Sequence, residues 1–312
     1  MKFALITAPT LEPITLAEAR SHLHLDDSDG EPAPTELTAA LAGDGVGNVD
    51  DGIHRYKVTF VTADGETEGG TASDALTVAD KSTNGIVDLS GIQVGGAGVT
   101  ARKIYRTVAG GSTYKLLATI SDNVTVIYED NIADASLGAD APTTNNTLDP
   151  YITGLIKASR KYAEAYTRRA FITQTWELLL DRFPGSRNRG IELPKAAAQS
   201  ITYIKYTDTS GTLTTWSSDE YTLFETATPG YIKPAYGYNW PSARNVDGAV
   251  VIRFVCGYGA AASSVDADVL QAIKILIAHW YENRDLVNHS GMPSKIPLSV
   301  DALLDTQRVF NF

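Results

Sequence analysis

The hydrophobic pattern changes period twice along this chain, which divides it into a helical start, a strand-rich stretch and a second helical part. Near the start, Thr15-Leu16-Ala17-Glu18-Ala19-Arg20 opens a helix: Thr15 caps it, and Glu18 three residues later completes a capping box. Leu16, Ala19 and Leu23 share one face, and the helix is expected to end near Asp26, because turn formers and Pro32 follow. From about Gly52 the pattern alternates with a period of two and is rich in β-branched residues, in runs at 53–62, 75–78, 85–89, 101–107, 114–120 and 125–128. Fourteen glycines fall between Gly43 and Gly111, and Asp64-Gly65 and Gly110-Gly111 sit where hairpin turns are expected. Short strands at this spacing predict a β-sandwich. At Asp149-Pro150 the helical period returns, with Ile152, Leu155, Ile156, Ser159, Tyr162, Ala163 and Tyr166 on one stripe. Lys157, Arg160, Lys161 and Arg168 fall off that stripe.

The fold class read from this is α+β: a small helical-bundle domain with an antiparallel β excursion, interrupted by an all-β sandwich insert. Residues 1–26 form the first part of the host, 27–147 the insert, 148–296 the main part of the host and 297–312 a C-terminal tail. Strand-like pieces at 173–180, 201–207, 212–216, 221–224 and 249–256 predict the antiparallel sheet. The last long helix is expected over 267–287, capped by Asp266, with Val269, Ile273, Leu276, Ile277 and Trp280 inward. The tail carries Leu298, Val300, Leu303, Leu304, Val309, Phe310 and Phe312, so it either docks on its own domain or is offered to a partner.

A length of 312 residues suits two domains, each large enough for a core. The formal charge of −11 is unevenly distributed: 19 acidic and 7 basic residues lie between Asp27 and Asp149, against 18 and 19 elsewhere. Such a chain gains little from counterion release, which argues against sequence-specific nucleic-acid binding but leaves it free to surround DNA. No apolar run is long enough to span a membrane, and Met1 to Pro9 lacks the pattern of a secretory signal. The single Cys256 rules out an internal disulfide and any Cys-based zinc site, which suits a reducing cytoplasm.

The chemistry-bearing constellations are weak. Asp27-Ser28-Asp29-Gly30 with Glu36 is a poor calcium loop, since Leu25 holds the first ligand position and Pro32 the hydrophobic one. His279 and Glu282 share a helix face at a spacing used by paired metal sites, but no second pair exists. A hydrolase built on His279 is the least favoured class. Cys256 ends an apolar strand run, where burial leaves it inert. The glycine clusters at Gly43, Gly45 and Gly47 and at Gly95, Gly96 and Gly98 lack the strand-before, helix-after setting of a phosphate loop, and read as turns. No catalytic residue, metal or cofactor is assigned.

Two surface candidates remain. Lys157, Arg160, Lys161, Arg168 and Arg169 make a basic helix face that is a solvated face, a phosphate contact or an interface salt-bridge partner, and Arg187 and Arg189 lie in a loop with Gly185 and Gly190. Tyr231, Tyr236, Tyr238 and Trp240, interleaved with glycine and proline, have the composition of a protein interface, or else cover the edge of the sheet. Arg160, Arg168, Arg169, Tyr236, Tyr238 and Trp240 are the subunit-interface candidates.

Taken in order, the host segments resemble the head-to-tail connector (adaptor, head completion) family of tailed bacteriophages. The resemblance is carried by Ile14 to Leu23, by Ala163 to Trp176 with its Tyr166-Thr167-Arg168-Arg169-Ala170-Phe171, by Ile191-Glu192-Leu193-Pro194, and by Val269 to Arg284 followed by the apolar tail. It covers roughly 1–26 and 148–312, and the strands of the insert look similar to fibronectin-III or immunoglobulin-like modules. It implies a virion protein without catalysis, assembled in the host cytoplasm. Copies, twelve in that family, form a neck ring between the portal and the head-closure (stopper) or tail-terminator protein, and DNA passes through the channel. It further implies that the tail, through Leu303, Leu304, Val309, Phe310 and Phe312, docks on the portal. The alternative is a tail or baseplate protein whose sandwich binds a host surface glycan or protein.

Overall fold

The computed structural model describes residues 2–26, 29–284 and 297–309. In chain order the elements are β1 (Lys2–Thr7), α1 (Leu16–His22), β2 (Thr38–Leu41), β3 (Gly52–His54), β4 (Tyr56–Thr62), β5 (Leu76–Val78), the one-turn α2 (Lys81–Asn84), β6 (Val87–Ser90), β7 (Val99–Thr107), β8 (Tyr114–Ile120) and β9 (Ile127–Asp130). They continue with α3 (Asp149–Thr167), β10 (Gln174–Leu180), β11 (Ile191–Glu192), β12 (Ala198–Thr207), β13 (Leu213–Trp216), β14 (Tyr221–Phe224), β15 (Tyr231–Pro234), β16 (Val250–Cys256), α4 (Ala267–Glu282) and α5 (Leu298–Asp305). The chain divides into two compact units: a discontinuous host, Met1–His22 with Gly154–Phe312, and a contiguous insert, Leu23–Thr153.

The insert is built from antiparallel sheets. β4, β7 and β8 form one, β2, β6 and β9 a second, and β3 pairs with β5. The first two enclose a shared apolar core, in which Tyr56, Val58, Ile104 and Ile120 of one sheet meet Val87 and Leu89 of the other. Charge is buried with them. Arg106 on β7 has no exposed surface and donates to Asp130 of β9 at 2.6 Å and to Asp134 at 2.7 Å, while the Tyr56 hydroxyl donates to Asp130 at 2.9 Å. These bonds tie one sheet to the other through the core. The turn signals read as expected: the Thr62 N–H donates to the Gly65 carbonyl at 2.8 Å, and Gly110 takes the left-handed φ of 67° between β7 and β8. The two ends of the insert lie side by side. The Glu31 N–H donates to Thr147 Oγ1 at 3.1 Å, and the Asn145 amide donates to the Glu31 carbonyl at 2.8 Å.

In the host, a five-stranded antiparallel sheet has the order β1-β10-β16-β12-β13, and β11-β15-β14 forms a second, smaller one. β16 alternates strictly between buried and half-buried residues, so Val250, Ile252, Phe254 and Cys256 face a core shared with Leu178, Ile204 and Trp216. On the other face, the register sets Arg253 opposite both Glu177 and Tyr203, and Glu177 accepts from Arg253 at 3.0 Å and from the Tyr203 hydroxyl at 2.7 Å.

The helices pack on one another: α4 against α1 and α5, and α3 on α4 through the edge-to-face pair Tyr162 and Trp280, with centroids 6.0 Å apart. Ile152, Ile156, Ser159 and Ala163 of the α3 stripe are buried, as are Val269, Ile273, Leu276 and Ile277 of α4. Asp266 caps α4 by accepting from the Asp268 N–H. In α1 the capping box is closed: Glu18 accepts from the Thr15 N–H at 2.8 Å, and Thr15 Oγ1 accepts from the Glu18 N–H at 3.2 Å.

Several sequence expectations need correcting. α1 stops at His22, short of Asp26, because His24 takes a left-handed φ of 56° that no helix continues. The host holds more strand than the pattern predicts: β1 joins the five-stranded sheet, and β11 and β15, the latter expected within the aromatic loop, pair in the second sheet. β2 of the insert was likewise missed. The part of the last helix expected beyond Arg284 lies outside the described residues, as do Asp27 and Ser28 of the weak calcium loop.

Candidate assembly surface

Arg160 differs from its expectation. The sequence places it off the apolar stripe of α3, yet it is 6% exposed, because its guanidinium donates to Glu12 at 2.6 Å and to Glu164 at 2.7 Å. Glu164 accepts two further bonds, from the Phe171 N–H at 3.0 Å and from the Gln174 amide. The pair therefore welds α3 to the start of β10, and Arg160 belongs to the interior of the host. Arg169 is half-buried. Its Nε donates to the Gln307 carbonyl, and its guanidinium lies 5.9 Å from the centre of the Tyr258 ring. Arg168 is exposed, with a φ of 58° that ends α3, and its carbonyl accepts from the Ala196 N–H at 3.1 Å.

The aromatic run splits the same way. Trp240 stacks on Phe183 at 5.4 Å and meets Trp216 at 5.4 Å, so it closes one side of the sheet's core. Tyr231 sits on β15 and stacks on Phe224 at 4.6 Å. Tyr236 and Tyr238 are 98% and 44% exposed. Those two are the members of the aromatic loop presented to solvent.

In the tail, Val300, Leu304 and Val309 are buried within the host, where α5 lies on α4. The Val309 N–H donates to the Thr167 carbonyl at 3.0 Å, and the Tyr166 hydroxyl donates to Asp305 at 2.8 Å. Leu303 is half-buried and Leu298 is 85% exposed. Phe310 and Phe312 lie outside the described residues.

The groups weighed for chemistry are placed as follows. Cys256 is buried in the sheet's core, and that burial pushes its thiol up to about 12, partly offset by the nearby Lys195 charge. His279 lies on α4, and its carbonyl accepts from the Asn283 amide at 2.8 Å. Among the described residues no group of three or more His, Cys, Asp or Glu side chains is arranged to hold a metal ion.

No protein-family model matches the chain, and no curated protein matches it. Among solved structures it is similar to a chain in the virion of a native gene transfer agent particle, with 26% identity and a TM-score of 0.44 over 53% of this chain and 79% of that one. It is also similar to a chain in the neck of the native particle computed with C12 symmetry, at 25% identity and a TM-score of 0.44 over 53% of this chain and 85% of that one. A chain in the neck of the empty particle, computed with C6 symmetry, matches at 25% identity and a TM-score of 0.44, over 53% of this chain and 80% of that one.

Proposed function

We propose that this chain is a structural protein of a phage-like virion neck. Twelve copies form a ring between the portal and the head-closure or tail protein and extend the DNA channel. The observation that carries the reading is the composition of the host unit: the motif segments in α1, in α3 with β10, in β11 and in α4 come together in one compact unit although the insert separates the first from the rest. A split unit of this kind tolerates an insert only where the chain ends of the insert lie together, as those of Glu31 and Thr147 do.

Within this reading, α1, α3 and α4 form the body of each subunit, and ring contacts use Arg168, Arg169, Tyr236 and Tyr238. Arg160 and Trp240, turned into the interior, take no part in that surface. Leu304 and Val309 hold α5 to its own subunit, so portal docking falls to Leu298 and Leu303, together with Phe310 and Phe312. The test is reconstitution: purified full-length chain mixed with the portal rings of its own phage and imaged by cryo-electron microscopy. The expected result is an added ring of density below the portal, and portal rings that remain bare at saturating concentrations of the chain overturn the reading.

A further inference from the structure

Arg160, Arg253 and Arg308 of the host pair with carboxylates. Arg168, Arg182, Arg189, Lys195 and Lys233 make no ion pair among the described residues, and all five line one open groove of about 1180 Å³ that contains a single carboxylate, Glu192. They arrive there from the end of α3, from the loop after β10, from the two flanks of β11 and from β15, so no run of charge in the sequence announces them. Like charges gathered at one groove repel, and an anion seated among them removes that cost. Lys195 and Lys233 are half-buried, and the three arginines are exposed. The Lys195 ammonium lies 5.2 Å from the Trp176 ring centre, and burial lowers its proton affinity.

The rest of the lining is apolar, with Phe3, Leu193, Pro194 and Tyr231 among it. Phe3 belongs to β1, an edge strand that pairs only with β10 and whose six residues are all exposed. Such an edge leaves backbone N–H and C=O groups open to another strand. Apolar floor, unpaired cations and open strand edge together fit an extended peptide better than a nucleic acid.

We propose that this groove receives an extended acidic peptide segment of a protein partner, with its carboxylates on Arg189 and Lys233 and a bulky apolar side chain against Phe3 and Tyr231. The inference is independent of where in a particle the chain resides.

The test uses the full-length chain and a fluorescein-labelled probe in which Asp or Glu alternates with Phe and Leu over eight residues, titrated by fluorescence anisotropy. The expected result is saturable binding that weakens about tenfold in the Arg189→Ser, Lys233→Ser double variant, Arg189 being exposed and Lys233 half-buried, with the melting temperature of the variant measured alongside. The same peptide with Asn and Gln in place of its acids is expected to bind at least tenfold more weakly. Absence of binding, equal binding of the neutral peptide, or displacement by a single-stranded DNA oligonucleotide at lower concentration than by unlabelled peptide each overturns the proposal. The portal reconstitution is read separately, so either idea fails without the other.

Discussion

Arg106 illustrates how much a single buried charge decides in the insert. Its partner Asp130 has no exposed surface, and replacing Arg106 by Met leaves that carboxylate enclosed and unpaired. Breaking a buried pair in this way costs about 3 to 5 kcal/mol. All four tryptophans, Trp176, Trp216, Trp240 and Trp280, belong to the host. In Arg106→Met, thermal unfolding of the full-length chain is therefore expected to shift downward by circular dichroism while the tryptophan-fluorescence midpoint holds. Glu18 gives a pH-dependent counterpart. Backbone and side-chain hydrogen bonds from Thr15 hold its carboxyl below the usual carboxylate range. A carboxyl lowered in the folded state stabilises fully above its unfolded value, and that contribution is lost as pH falls through the lowered one. Thr15→Ala is expected to cost about 1 kcal/mol at neutral pH, and the gap to the parent protein, measured by urea unfolding, is expected to narrow near pH 3.

At the scale of elements, α3 was the clearest reading in the sequence and also held its main error. Every residue of the predicted stripe is buried or half-buried, because a helix with one apolar face has only one way to pack. Arg160 escaped that logic, since burial of a charge depends on partners, and Glu12 lies in a segment far away in the sequence. Substituting Arg160 by Met strands Glu12 and Glu164 and is expected to destabilise the host by about 3 to 5 kcal/mol in tryptophan-monitored urea unfolding. Lys157→Ala and Lys161→Ala on the exposed face are expected to stay within about 0.5 kcal/mol. β1 and β15 were illegible for a different reason. β1 is an edge strand exposed at all six residues, so no alternation marks it, and β15 lies among glycines and prolines that read as a loop. Only backbone pairing, with β10 and with β14 and β11, makes them strands.

For the molecule as a whole, the insert and the host have separate cores and opposite charge character, so the insert is expected to be dispensable for folding of the host. Gly30 lies against the Thr147 side chain, and the Glu31 N–H donates to Thr147 Oγ1 at 3.1 Å, so removing residues 31–146 joins two ends that already meet. The shortened chain is expected to keep its tryptophan-fluorescence midpoint and to form the same ring on portals as the full-length protein. A deletion variant that folds but leaves portals bare would place the insert within the ring contacts rather than outside them.

The change of hydrophobic period, the capping residues and the uneven charge determined where the helices α1, α3 and α4 start and that an acidic, strand-rich stretch separates the first from the others, because these are local properties that each segment carries by itself. Which side chains reach the surface was decided by tertiary structure alone. It turned Arg160 and Trp240 inward and left Tyr236 and Tyr238 out, and it gathered Arg168, Arg182, Arg189, Lys195 and Lys233 into one groove. Burial and the meeting of like charges depend on residues distant in the chain, and only the fold brings those into contact.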